Sequence, residues 1–275
     1  MMKKDVGLFI RVITCFLLVL CVLFVPSCKK SPSESSSGNS SDQATSETTP
    51  QPPDQTTAQV PDETNNTQET ATGNDKSGWV PIDIKLPKAV FIGTPQDTRV
   101  PNLEKARTEA RPPFLAPEGT KNVAFGKAVT SSDEEPIIGE LSYVTDGDKE
   151  AADGSYVELG PLLQYVTIDL GQMYNIYAIV VWHHHMQAQV YYDVVVQVAD
   201  DADFITNVRT LFNNDIDNSA GFGIGKDMHY TETNEGKLID AKGVKARYVR
   251  LYSNGNTSDD LNRYTEVEVY GKPVE

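Results

Sequence analysis

Two short stretches carry the side chains best suited to chemistry. His183, His184 and His185 follow directly after an apolar run, and Asp146-Gly147-Asp148 sets two carboxylates in one tight turn. Imidazoles can bind hydroxyl groups or transition metals, whereas carboxylates and free carbonyls are the oxygens that Ca²⁺ prefers. Glycine lets the turn bend and direct its carbonyls inward. The sequence therefore offers a candidate binding turn and a candidate calcium turn, although Asp-Gly turns are also common without any ion.

The histidine triplet admits three interpretations. If it closes a strand, alternate residues share a face, so that His183 and His185 point together while His184 points away. The pair could then contact a ligand, or it could consist of buried, hydrogen-bonded strand-end residues. A zinc site is the third interpretation. Adjacent strand residues diverge, so zinc would need His183, His185 and a further ligand such as His229.

Nothing in the sequence indicates catalysis. It contains no Gly-x-Ser-x-Gly nucleophile turn and no glycine-rich loop of the kind that holds phosphate. Carboxylates are numerous, but no pattern singles out a catalytic pair. We therefore expect a protein that is not an enzyme.

The charge of the chain restricts its partners. The formal net charge is −15 and the isoelectric point is about 4.7. Such a chain gains nothing from neutralising phosphates, so nucleic acid is not an expected partner. The same acidity argues against direct binding to anionic membrane surfaces.

The N-terminus predicts export. Basic residues precede an apolar run from Val12 to Val25, which is shorter than the roughly 20 residues needed to cross a bilayer and is typical of a signal peptide. Ser27 followed by Cys28 resembles the lipobox of bacterial lipoproteins, in which the cysteine is acylated; an ordinary secretory signal with a chance cysteine is the alternative. We expect residues 1–27 to be a signal peptide. A lipid on Cys28, rather than a spanning helix, would hold the chain in the cell envelope, at the outer membrane or the cell surface.

The rest of the chain divides by composition into three parts. Residues 28–77 are rich in Ser, Thr and Pro and cannot bury enough apolar surface to fold, which predicts a disordered linker. Residues 78–117 contain recurrent prolines, which exclude helix interiors and central strands, and are predicted to form an extended strap packed on the domain. Residues 118–275 have the length of one domain.

The pattern within residues 118–275 is that of strands. Short runs of Val, Ile and Tyr alternate with breaks containing Gly, Asn and Asp, which predicts an all-β sandwich. The runs are Tyr165–Ile168, Ile176–Trp182, Val190–Val198, Ala246–Tyr252 and Val267–Tyr270.

Six segments in this region resemble, in the same order, the coagulation factor 5/8 type C (discoidin) domain and the related family 32 carbohydrate-binding modules. They are Asn122–Thr130, Thr145–Asp148, Tyr165–Gly171, Tyr192–Asp201, Ala246–Tyr252 and Glu266–Gly271. The resemblance implies an eight-stranded jelly-roll β-sandwich of the galactose-binding-like type, with its ligand loops at one end.

The resemblance also implies two sites. A structural Ca²⁺ would be held by the Asp146 side chain, the Tyr143 and Asp148 carbonyls, Ser155, the Thr265 carbonyl and the Glu266 carboxylate. Ligand contacts would come from the turn at the histidines, namely Trp182, His183, His185, Gln187 and Gln189.

The chain departs from the pattern in two places. The aromatic residue usual after the acidic turn is missing, with Tyr156 and Val157 nearby instead, and the stretch from Asn213 to Glu235 is an insertion rich in glycine and polar residues.

These features together predict a binding protein. We expect a cell-surface carbohydrate-binding module, tethered as a lipoprotein, whose partners are a glycan or polysaccharide and, through its lipid anchor only, a membrane. The alternatives are a protein–protein adhesion or assembly module and a structural lipoprotein of the envelope. An aromatic-lined concave site would favour sugar, and a flat apolar patch would favour protein.

Overall fold

The computed structural model describes residues 77–91 and 98–275. The predicted signal peptide, Cys28 and almost all of the predicted linker lie outside these residues. Within them the elements are β-strands and one 3₁₀ helix, which confirms the predicted all-β class. They are β1 Trp79–Pro81, β2 Leu115–Pro117, β3 Lys121–Asn122, β4 Ala128–Ser131, the 3₁₀ helix Leu141–Thr145, β5 Val157–Leu159, β6 Gln164–His183, β7 Val195–Ala199, β8 Arg209–Asn213, β9 Lys237–Ser253 and β10 Asn262–Pro273. None of the described residues forms a helix long and apolar enough to cross a membrane.

Two long strands, β6 and β9, build both layers of the sandwich. The first part of β6 pairs with β4 and with the second part of β9, which continues to β7 and then to β8. The second part of β6 lies between the first part of β9 and β10, and β10 pairs on its other edge with β3 and β5. All of these pairings are antiparallel, so one chain segment can leave one layer and enter the other without a helical connection.

The corner between the layers lies at the Asp-Leu-Gly segment of β6. The register of β6 against β9 shifts between Asp169 and Tyr174. Gly171 has a φ of 86°, a left-handed conformation that is costly for residues with a Cβ atom. Arg247 of β9 binds both oxygens of Asp169, at 2.7 and 2.8 Å. The Asp-Leu-Gly motif at the end of the segment Tyr165–Gly171 therefore marks the point where β6 bends and continues into the second layer.

The core between the layers follows the period-two pattern of the strands. Ile179 and Val181 of β6 and Val267 and Val269 of β10 belong to the same buried cluster as Leu251 from the other layer, and all are fully buried. Alternate residues of a strand face opposite sides of a sheet, so the residues between them must face outward.

The predicted strap covers those outward-facing residues. Ala178, Val180, Trp182 and Tyr270 form a second buried cluster, against which Ile82, Ile84 and Phe114 of the strap pack. The ends of the strap pair with each other as β1 and β2, and the Tyr270 hydroxyl donates to the Asp83 carbonyl at 3.3 Å. The strap thus keeps the outer face of the second layer from water.

One predicted strand is shorter than the sequence pattern indicated. The apolar run Val190–Val198 becomes a strand only from Val195 onward. Asp193 has a φ of 51°, a left-handed conformation that ends an extended segment and that Asp tolerates better than branched residues do. Its carboxylate accepts hydrogen bonds from Asn254 and Ser219, both at 2.8 Å, which hold the turn in place.

Packing of the strap should contribute measurably to the free energy of unfolding. We expect Ile84→Ala to lower the free energy of unfolding by about 1–2 kcal/mol, less than the 2–5 kcal/mol typical of a fully buried site, because Ile84 is half-buried. The control is Leu86→Ala on the same strap, where the side chain is 46% exposed and the expected change is within about 0.5 kcal/mol. Urea denaturation monitored by tryptophan fluorescence measures both. Equal effects of the two substitutions would contradict packing of the strap through its alternate residues.

Candidate functional site

His183 lies in the core and not on an open ligand face. It is the last residue of β6 and is fully buried. Its Nδ1 is 2.6 Å from the Glu232 carboxylate, and its ring stacks on Tyr191 with the centroids 4.3 Å apart. The expectation that His183 contacts a ligand from solvent is therefore wrong for this structure, because the inward alternation of β6 continues to its last residue.

Most of the other predicted ligand residues are buried as well. Trp182 lies fully buried beneath the strap and donates its indole N–H to the Asn234 carbonyl at 3.0 Å. His185 is enclosed, with its Nε2 2.8 Å from the Lys149 carbonyl. The physical reason is the position of β6, which is paired on both edges and covered on both faces.

The two glutamines of the turn differ from each other. Gln189 is buried and donates to the Ser258 hydroxyl at 3.1 Å, whereas Gln187 is exposed. Of the five residues predicted to contact a ligand, Gln187 alone is exposed to solvent in this structure.

The zinc alternative finds no support in residues 77–91 and 98–275. The one group of three His, Cys, Asp or Glu side chains whose ligand atoms lie within 4.8 Å of one another is Asp193, Asp215 and Asp217. It contains no histidine. Asp215 accepts backbone N–H bonds from Ser219 at 3.1 Å and Ala220 at 2.9 Å, so this carboxylate organises the inserted loop from within.

A polar cluster with an accessible side does form nearby, around the histidine whose side chain was predicted to point away. His184 meets the ring of Tyr156 edge-to-face, with centroids 5.0 Å apart and planes at 65°. His184 is 9% exposed and Tyr156 is half-buried. Tyr156 is the residue near the position where the family pattern places an aromatic.

Strand register brings a third partner, Arg263, to the same place. On β10, Arg263 lies opposite Glu158 of β5, and the next residue, Tyr264, lies opposite both Val157 and His183. The Arg263 guanidinium binds the Glu158 carboxylate at 2.5 Å and, i to i+4 along the chain, both oxygens of Asp259 at 3.0 and 2.9 Å. We call Tyr156, His184 and Arg263 the loop-end cluster.

The electrostatics of the loop-end cluster keep its imidazole neutral. Burial, reinforced by the positive charge of Arg263, lowers the pKa of His184 to about 4, against the opposing charge of Asp153. A neutral imidazole offers one donor and one acceptor, as a hydroxyl group does. Burial also raises the pKa of Tyr156, with help from the Glu158 carboxylate, so its hydroxyl stays protonated.

The sequence alone did not reveal this cluster. The three residues of the cluster, Tyr156, His184 and Arg263, are far apart along the chain. His184 was not among the predicted ligand residues, because alternation along the strand predicted that it points away from His183 and His185. The one signal available was the displaced aromatic after the acidic turn. Arg263 could be found only from the register of β10 against β5.

The acidic turn is placed against the last strand, as the calcium prediction requires. Asp146 ends the 3₁₀ helix, and the Gly147 N–H donates to Glu266 Oε2 at 3.1 Å. Glu266 is fully buried, and its Oε1 has no hydrogen-bond partner among the described residues. Burial, reinforced by Glu268 and Asp146 and opposed by the Gly147 hydrogen bond and Lys149, raises the pKa of Glu266 to about 9, so the group is protonated near neutral pH. This donor set fits Ca²⁺.

The remaining predicted calcium ligands are less closely tied to this point. Asp148 and Tyr143 flank the turn, and the Asp148 N–H donates to Asp146 Oδ1 at 2.8 Å. Thr265 is buried next to Glu266, and its hydroxyl donates to the His183 carbonyl at 3.3 Å. Ser155 belongs to a separate turn, in which its N–H donates to the Ala152 carbonyl at 2.8 Å.

Comparison with known proteins finds structural likeness only. No protein-family model matches the sequence, and no curated protein sequence matches it. Among solved structures, the family 32 carbohydrate-binding module of AlyQ, in complex with 4,5-unsaturated mannuronic acid, is 17% identical with a TM-score of 0.39, covering 53% of this chain and 95% of that one. A Streptococcus pneumoniae fucose-binding module is 18% identical with a TM-score of 0.39, covering 56% and 98%.

A third similar structure is a much longer enzyme. The family 89 glycoside hydrolase of Clostridium perfringens is 20% identical with a TM-score of 0.41, and the match covers 56% of this chain but 15% of that one. The likeness to all three proteins concerns the β-sandwich.

The neutral state of His184 predicts a pH dependence of stability. The unfolded chain binds a proton at His184 near pH 6.5, while the folded protein binds it only near pH 4. Between these values the unfolded state holds more protons, so the free energy of unfolding falls as the pH falls from about 6.5 to about 4. We expect His184→Gln to flatten this part of the profile. Urea denaturation at a series of pH values, for both proteins, measures the difference, and identical profiles would contradict it.

Proposed function

We propose that this chain is a carbohydrate-binding module and that the loop-end cluster is its sugar site. The observation that carries the proposal is the contact of Tyr156 with His184 beside Arg263, at the end of β5, β6 and β10. Sugars present an apolar C–H face and a rim of hydroxyls. An aromatic ring suits the face, and a neutral imidazole with a guanidinium suits the rim.

The cluster is held rigidly before any ligand arrives. Arg263 is fixed from two sides, by Glu158 and by the bidentate pair with Asp259. His184 is fixed by the strand end that precedes it and by the ring of Tyr156. Side chains that are already ordered lose less conformational entropy on binding, which supports a binding role.

The carboxylates that pair with Arg263 of the loop-end cluster are unsuited to acid–base catalysis. Glu158 and Asp259 both pair with Arg263. Although burial opposes it, the Arg263 charge lowers the pKa of Asp259. A general acid needs the opposite shift, toward a pKa near the working pH. We therefore propose that the module binds sugar without cleaving it.

The position of the module in the cell is a separate proposal, supported by the N-terminal sequence. A lipid on Cys28 would attach the chain to the envelope, and the Ser/Thr/Pro-rich residues 28–77 would serve as the tether that holds the module away from the membrane.

Calcium is proposed as a structural ion of the module. Glu266 and the side chain of Asp146 would hold it, supplemented by carbonyl oxygens of the acidic turn and of Thr265. Such an ion would tie the 3₁₀ helix to the last strand and would neutralise the buried carboxylate.

Calcium should therefore stabilise the folded protein. At free calcium 100-fold above its dissociation constant, linkage gives about 2.7 kcal/mol, seen as a higher melting temperature than in chelator. We expect Glu266→Gln to abolish the calcium response and Asp240→Asn, an exposed carboxylate outside the site, to retain it. Scanning calorimetry in calcium and in chelator measures both. A wild-type melt that is unchanged by calcium would rule the site out.

Substitutions in the loop-end cluster should weaken sugar binding, whereas a substitution outside it should not. A glycan array identifies the sugar, and calorimetry then measures its affinity for three variants. Tyr156→Ala and His184→Ala should each weaken binding about ten- to a hundredfold, equivalent to roughly 1–3 kcal/mol. Tyr248→Ala, a half-buried tyrosine on β9 outside the cluster, should leave the affinity unchanged. Melts recorded beside the titrations confirm that each variant is folded. An array without a bound glycan, or full affinity in both cluster variants, would refute the proposal.

A further inference from the structure

A cavity of about 440 Å³ lies between the strap and the segment Tyr230–Leu238. None of its lining residues belongs to the loop-end cluster or to the acidic turn. Its volume falls within the range of pockets that hold small molecules. The strap forms one wall of the cavity, and the end of the inserted stretch with the start of β9 forms the other.

Backbone contacts fix the strap wall of this cavity. Leu103 bridges to His229 in a parallel arrangement, and the Glu104 N–H donates to the His229 carbonyl at 2.8 Å. Further along the strap, the Arg111 N–H donates to the Glu235 carboxylate at 3.2 Å. The cavity is therefore bounded at both ends by hydrogen bonds between strap and domain, and its shape does not depend on a free loop.

The domain wall presents an aromatic floor. Tyr230 is 4% exposed, and the Lys237 ammonium lies 4.7 Å from the centre of its ring. Lys237 is held there by Glu104 of the strap at 2.8 Å. The charge of Lys237 is thus already balanced, and so is that of Glu235, which pairs with Arg107.

Arg111 is a half-buried cation of the cavity whose hydrogen bonds are incomplete. Within the described part of the chain its guanidinium makes one hydrogen bond, from Nη1 to the Gly236 carbonyl at 3.0 Å. A guanidinium carries five N–H donors. Burial lowers the pKa of Arg111, against the opposing charge of Glu235. A partly desolvated guanidinium with unused donors is arranged to receive an acceptor.

The charges that remain after pairing favour an anion. Among residues 77–91 and 98–275, Lys105 and Arg111 have no carboxylate partner in a side-chain ion pair, while Glu109 at the exposed rim is the acidic lining residue without a cationic partner. This local excess of positive charge stands out in a chain of net charge −15. The planar fork of a guanidinium matches a carboxylate in a bidentate arrangement.

We propose that the cavity between strap and domain is a second binding site, for a carboxylate-bearing ligand of about the size of a disaccharide, with Arg111 receiving the carboxylate. Tyr230 supplies the apolar floor beneath the ligand. The site is independent of the loop-end cluster and shares no residue with it.

Digalacturonate is the probe, and cellobiose is the neutral disaccharide of similar size. Calorimetry on the full chain should show binding of digalacturonate that depends on Arg111, whereas any binding of cellobiose should not depend on Arg111. Arg111→Gln should weaken digalacturonate binding at least tenfold. The matched control is Arg209→Gln, because Arg209 is an exposed arginine on β8 that also donates to one carbonyl, at 3.4 Å, and lies outside the cavity.

Two further arms separate this site from its alternatives. Tyr156→Ala should leave digalacturonate binding unchanged, whereas loss of binding in Tyr156→Ala but not in Arg111→Gln would move the acidic sugar to the loop-end cluster and overturn the proposal. Inorganic phosphate should not compete at matched concentration, and equal competition would overturn the preference for carboxylate. Absence of digalacturonate binding, or cellobiose binding that is equally strong and equally weakened by Arg111→Gln, would overturn the site itself.

Discussion

The enclosure of strand β6 is the constraint on which the rest of the structure depends. From Tyr174 to Val181 the strand is paired with β9 on one edge, and from Tyr174 to His183 it is paired with β10 on the other. Its inner side chains lie in the sandwich core and its outer ones under the strap. Burying apolar side chains on both faces stabilises the fold, at roughly 25 cal/mol per Å² of apolar surface. The same enclosure means that a polar residue on β6 must find its partner inside the protein. A strap is therefore required, because without it Trp182 and Tyr270 would face water.

The polar end of β6 shows how this constraint is met. His183 is fully buried and would be costly there without a partner, but the inserted stretch after β8 carries Glu232 to within 2.6 Å of it. Trp182 meets the carbonyl of Asn234 from the same stretch. Gly236 makes this approach possible, since a Cβ atom there would lie 2.7 Å from the Trp182 ring. The insertion therefore has a structural role: it completes the core beneath β6 and provides one wall of the cavity beside the strap.

Both proposed binding sites lie outside the enclosed part of β6. Beyond the end of β6, His184 meets Tyr156 and the network around Arg263, where three strand ends converge. In the cavity beside the strap, most N–H donors of the Arg111 guanidinium have no hydrogen-bond partner among the described residues. The Arg111 backbone is held by its hydrogen bond to Glu235. In both places a rigid backbone positions side chains whose hydrogen bonds are incomplete. Such groups can bind a ligand without first breaking contacts within the protein, which lowers the cost of binding.

The bend at Asp-Leu-Gly emerged only from the structure, and the placement of the acidic turn near Glu266 was implied by a family resemblance. The sequence by itself determined the β class and predicted an extended strap. These follow from local rules, namely period-two alternation and the exclusion of proline from helices and central strands. The tertiary structure alone decided how deeply each of the three histidines is buried. Alternation predicted that His184 points away from His183 and His185 but could not say which face is buried, because that depends on the strap and on Glu232, both distant in sequence. Arg263 and Arg111 were likewise invisible in the sequence, since a site formed by strand register or by two packed segments has no local signature.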